Sequence, residues 1–90
     1  MQHMTTLPEL GAEVAKLRRE RGLTQAQLGT LAGLGQSTLA RFETGGVAEF
    51  GSRKLLRLLD VLGYGVQFVA TPREFTLDDA LRERQSRSTP

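Results

Sequence analysis

Between Leu7 and Leu62, apolar residues recur at helical spacing and single glycines interrupt them. Leu10, Val14 and Leu17 stand four and three apart, which predicts an amphipathic helix from about Leu7 to Arg21. Thr6 suits its N-cap, Pro8 and Glu9 suit its first turn, and Gly22 suits a left-handed close. A second helix is predicted from Gln25 to about Ala32, capped by Thr24 and ended by Gly33, with Leu28, Leu31 and Ala32 facing inward. Leu34, alone between two glycines, is expected to plug the core at the turn. A third helix is predicted from Gln36 to about Thr44. Leu39 and Phe42 point inward, and Gln36, Ser37, Thr38 and Arg41 are left facing out. Phe50 is expected to tuck against the core from the loop that follows. Ser52 is read as the cap of a fourth helix, Arg53 to Leu62, whose apolar face is Leu55, Leu58, Leu59 and Leu62. Leu56 and Val61 fall outside that face, so this helix calls for more than one neighbour.

After Gly63 the pattern changes. Val66, Phe68 and Ala70 alternate with Gln67 and Val69, a strand-like run of β-branched and aromatic residues. It is the one strand the pattern predicts. A lone strand leaves its backbone groups without partners. Pairing with the same strand of a second copy resolves this and predicts a two-fold homodimer. Thr71 and Pro72 end the run. The polar tail to Pro90 is expected to be disordered apart from a marginal helix from Leu77 to about Arg84. The expected organisation is a flexible N-terminus (1–6), one helical domain with its dimerisation strand (7–70) and a polar tail (71–90).

A chain of 90 residues holds one domain near the lower size limit, for which a second subunit adds core. It has no cysteine, so disulfides and thiolate metal sites are excluded, and a reducing compartment fits. No apolar run approaches membrane-spanning length, and the first six residues do not read as a signal peptide. A bacterial-type cytoplasm is the expected location. The net charge of +2 permits nucleic-acid binding without establishing it. Arginine dominates the basic residues, and its planar fork suits phosphate and guanine. His3 is the lone histidine and lies in the N-terminal stretch, so no metal site is expected. Asp78 and Asp79 are adjacent and would diverge on a helix, which argues against an acid–base pair. No Ser–His or Cys–His arrangement is available, and no cofactor or catalytic activity is expected.

Thr24 to Gly45, TQAQLGTLAGLGQSTLARFETG, reads as two short helices across a glycine turn, the helix-turn-helix unit. In such a unit the second helix enters the DNA major groove, where Gln can pair with adenine, Arg with guanine, and Thr can touch a thymine methyl. The segment resembles the XRE-type, lambda-repressor-like helix-turn-helix family over about Leu7 to Leu62. The resemblance implies an all-α bundle of four main helices that binds a double-stranded operator, with Gln36, Ser37, Thr38 and Arg41 reading bases. It implies that Gln25, with Thr24, contacts phosphate, and that Gln25 buttresses Gln36. It also implies an ion pair between Arg18 and Glu43. Gly29 departs from the family, which usually has Ala there.

The stretch SRKLLRLLDVLGYGVQFVA is similar to HipB-type antitoxins. That resemblance implies strand pairing across a dimer through Val66, Gln67, Phe68, Val69 and Ala70, autorepression, and a HipA-type kinase toxin as partner. The loop from Gly45 to Gly51 departs from the group by carrying Glu49 and lacking a basic residue. A free-standing regulator, a phage-type repressor, or an adaptor that binds protein and not DNA are the alternative readings.

Overall fold

A computed structural model describes residues 4–71 and shows four helices: α1 (Leu7–Glu20), α2 (Gln25–Ala32), α3 (Gln36–Glu43) and α4 (Ser52–Leu62). α1 packs on α3 and α4, and α2 packs on the same two. Val14, Leu17, Leu28, Ala32, Leu39, Phe42, Leu58, Leu59 and Leu62 form the core. Phe50 reaches it from the loop, its ring stacked on Phe42 with centroids 4.0 Å apart and planes 8° from parallel.

The sequence starts and stops these helices locally. The Thr6 hydroxyl accepts from the Glu9 amide at the head of α1. Thr24 and Gln27 form a reciprocal capping box at the head of α2. All four helices end in the same crossed pair of backbone bonds. In α2 these run from Leu34 N to Gly29 O and from Gly33 N to Thr30 O. Equivalent pairs involve Leu23 and Gly22 after α1, Gly46 and Gly45 after α3, and Tyr64 and Gly63 after α4. The residue after the cap glycine is Leu23 after α1 and Leu34 after α2, and both pack against the core. The Gly–Leu dipeptide therefore ends a helix and supplies a core residue in one step.

Three details differ from the sequence expectation. Leu31 is 61% exposed, because α2 turns Leu28, Gly29 and Ala32 inward and Leu31 lies about 100° away from the middle of that face. α4 begins at Ser52, with Gly51 as its N-cap and no side-chain cap, since the Gly51 carbonyl already accepts from the Leu55 amide. α1 closes at Glu20 and α3 at Glu43, each one residue short of the expected end, with Arg21 and Thr44 as the flanking residues.

No β-strand occurs among the described residues. Val66 to Ala70 is exposed chain without a ladder, as a strand has no identity until a second strand pairs with it. His3 and the rest of 1–3, the predicted helix from Leu77, Asp78 and Asp79, and the tail beyond Thr71 lie outside the described residues. No helix among the described residues is long and apolar enough to cross a membrane.

Candidate nucleic-acid interface

α3 is the element to build from. Its eight residues divide sharply: Leu39, Phe42 and Glu43 are buried, while Gln36, Ser37 and Arg41 are exposed and Thr38 is half-buried. At 100° per residue, Ser37 and Arg41 lie on one stripe opposite the buried face, and Thr44 continues it. Gln36 opens the helix at one flank of the stripe and Thr38 lies at the other. Among the described residues, the side chains of Gln36, Ser37, Thr38 and Arg41 make no hydrogen bond and no ion pair. Their donors and acceptors are thus available to a ligand. Thr44 differs, because its hydroxyl donates to the Ala40 carbonyl at 3.0 Å. The sequence reading passed over Thr44; its spacing of three from Arg41 was the available signal.

The inner side of α3 is held by charge. Arg18 Nε donates to Glu43 Oε2 at 2.7 Å and Arg18 Nη2 to Glu43 Oε1 at 3.0 Å, so the fork is bidentate. Arg18 Nη1 donates to the Leu23 carbonyl at 2.8 Å. Both partners are buried, and no buried side-chain polar atom among the described residues lacks a partner. One cluster therefore ties α1, the α1–α2 turn and the end of α3 together.

Gln25 joins the same cluster. Its Nε2 donates to Glu43 Oε1 at 2.9 Å. The structure brings Gln25 to Glu43, and among the described residues no hydrogen bond links Gln25 to Gln36. An ionised carboxylate is a stronger acceptor than a neutral amide, which accounts for the choice in the chain without DNA. One Gln25 amide hydrogen remains for another acceptor. The Thr24 hydroxyl oxygen caps α2 by accepting from Gln27 N at 3.1 Å, which leaves its own proton to donate.

Two glycines set how closely α3 and the turn before it are approached. A Cβ on Gly11 would overlap the Phe42 carbonyl oxygen, so α1 meets the last turn of α3 backbone to backbone. A Cβ on Gly29 would lie 2.7 Å from the Leu34 carbonyl oxygen, where the turn folds back on α2. Gly11 was missed in the sequence. Its signal is the spacing Gly11, Ala15, Arg18, a buried stripe of two small residues leading to the ion-pair arginine.

α2, a left-handed glycine at φ 72° and α3 together make a helix-turn-helix unit with its outer helix face free. A family model described as a helix-turn-helix domain matches residues 9–68 of the chain. The chain belongs to this helix-turn-helix family, whose XRE-like members are DNA-binding regulators of transcription. Among curated proteins none is similar enough to count as a match.

Proposed function

We propose that this protein is a sequence-specific transcriptional repressor that acts as a homodimer, each α3 lying in one major-groove half-site. The observation that supports this best is the division of α3. Ser37 and Arg41 stand free on one face with Gln36 beside them, and Glu43 is clamped on the other. Gln36 reads adenine through its amide, Arg41 reads guanine through its fork, and Ser37 and Thr38 supply shorter contacts. Thr24 and the second Gln25 amide hydrogen donate to phosphate. Repression is steric, by occupancy of the promoter.

Val66 to Ala70 supplies the joint between the two copies by antiparallel pairing. Two half-sites about one helical turn apart, or a multiple of it, follow from the two-fold. The narrower reading makes the protein the antitoxin of a HipA-type kinase toxin that represses its own operon. It rests on the similarity of residues 52–70 to HipB-type antitoxins.

Selection from a random DNA pool, followed by gel shifts at two salt concentrations, tests the regulator reading. The expected result is a palindromic motif bound in a salt-sensitive way and lost on combined Gln36→Ala and Arg41→Ala. Each base contact removed is expected to cost about 1–3 kcal/mol. No enriched motif, together with stable capture of a protein partner, would favour the adaptor reading. Co-expression with a neighbouring kinase-like gene tests the antitoxin step, and failure of the two products to co-purify would remove it.

A further inference from the structure

We propose that the groove between α1 and α4 is the seat for Phe68 of a second copy of this chain. The inference rests on the homodimer reading above and adds to it where the side chains of the joint go.

The groove is real volume. It holds about 560 Å³, with Leu10, Val14 and Leu17 of α1 on one side and Leu55 and Leu59 of α4 on the other. This falls within the range that takes an organic ligand much larger than one phenyl ring. The C-terminal segment borders it along its length, from Tyr64 to Val69 and again at Thr71. Phe68 is nevertheless 97% exposed, so its own chain does not seat it. A fully solvated phenylalanine beside an open apolar groove leaves two surfaces unburied at once.

The backbone of the same segment points to what fills the groove. Tyr64 N donates to the Leu59 carbonyl, and beyond it no backbone hydrogen bond is made by Gly65 to Ala70 among the described residues. An arm whose backbone groups have no partner among the described residues, and which carries bulky apolar side chains, is complementary to another arm of the same kind. Antiparallel pairing centred on Gln67 sets Val66 of one copy opposite Phe68 of the other. Directly opposed residues project to the same side of the ladder. Val66 and Gln67, the latter at the two-fold, both line the groove, so this pairing sets the partner's Phe68 at its rim. The two-fold repeats the contact, and each copy both gives a ring and receives one. One aromatic ring buries about 150–250 Å². With Tyr64, Val66 and Val69, which are also exposed, the joint moves toward the roughly 800 Å² per partner that stable pairs use.

The chain has no cysteine, so introduced thiols report cleanly. Glu13 stands at the groove. Full-length Phe68→Cys protein is mixed with Glu13→Cys protein and oxidised mildly. The expected product is a covalent pair containing one of each, at least tenfold more abundant than the pair from either variant alone. Phe68→Ser is expected to weaken the dimer at least tenfold, and the exposure of Phe68 leaves the fold itself untouched. If Gln67→Cys cross-links to itself while the mixed pair does not form, the strand joint stands and the seat is wrong. If Phe68→Cys and Glu13→Cys in one chain close only within that chain, the seat is wrong too. A wild-type chain that sediments as a monomer at every concentration overturns the homodimer reading, and the seat with it.

Discussion

Glu43 uses both of its carboxylate oxygens, Oε2 for Arg18 and Oε1 for Arg18 and Gln25. Removing it leaves a buried guanidinium without its counter-charge and an amide without its acceptor. Glu43→Ala is therefore expected to destabilise the fold by about 3–5 kcal/mol in denaturant unfolding. Arg18→Lys keeps the charge but loses the fork and the Leu23 bond, and should recover only part of that loss. Arg41 stands on the other side of α3 and has no partner among the described residues, so its loss should leave unfolding unchanged within about 0.5 kcal/mol. On DNA, Arg41→Ala is expected to cost about 1–3 kcal/mol and to relax preference at one base pair. A uniform loss over all sequences, with the salt slope lower by about one, would make Arg41 a phosphate contact instead.

Elements meet where side chains are missing. Glycine inside a helix costs about 1 kcal/mol against alanine, so Gly29 and Gly11 weaken α2 and α1 taken alone. At each a carbonyl oxygen stands too close for an added methyl group, overlapping it at Gly11 and lying 2.7 Å from it at Gly29. Gly29→Ala is therefore expected to lower the midpoint of unfolding in spite of its better helix propensity. A rise in the midpoint would show that the turn at Leu34 can move away. Gly11→Ala should be the more harmful of the two, because the overlap is with the backbone of α3 and displacement tilts that helix. Its signature is DNA affinity lost beyond the loss of stability, measured by titration well below the melting temperature.

For the molecule as a whole, the distribution of charge matters more than the total. Between Thr24 and Gly46 the charged residues are Arg41 and the buried Glu43. In the regulator reading this face then adds little phosphate attraction to the affinity, and the salt dependence has to come from cations elsewhere on the domain. The other whole-molecule question is assembly. A chain ending after Gly65 keeps the Tyr64 amide bond that closes α4 but lacks the apolar arm. It should unfold as cooperatively as the full chain, sediment as a monomer, and bind a palindromic site far more weakly than the full chain. A truncated chain that remained fully dimeric would place the joint elsewhere.

Most helix bounds could be read from the sequence, because caps and cap glycines act within a turn of the residues they bond, Thr24 with Gln27 and Gly33 with Thr30; the head of α4 could not, since its N-cap is Gly51, which has no side chain to mark it. The inward positions of α1 and α4 were legible for a similar reason, since their stripes repeat over two turns. α2 and α3 have eight residues each and are too short for that; in α3 Leu39 and Phe42 are the large apolar residues and still mark the inner face, whereas in α2 only packing decided that Gly29 faces in and Leu31 faces out. The partner of Gln25, the backbone contact at Gly11 and the open groove beside Phe68 likewise belong to tertiary structure. Each depends on the distance between segments far apart in the chain, a quantity that local spacing does not contain.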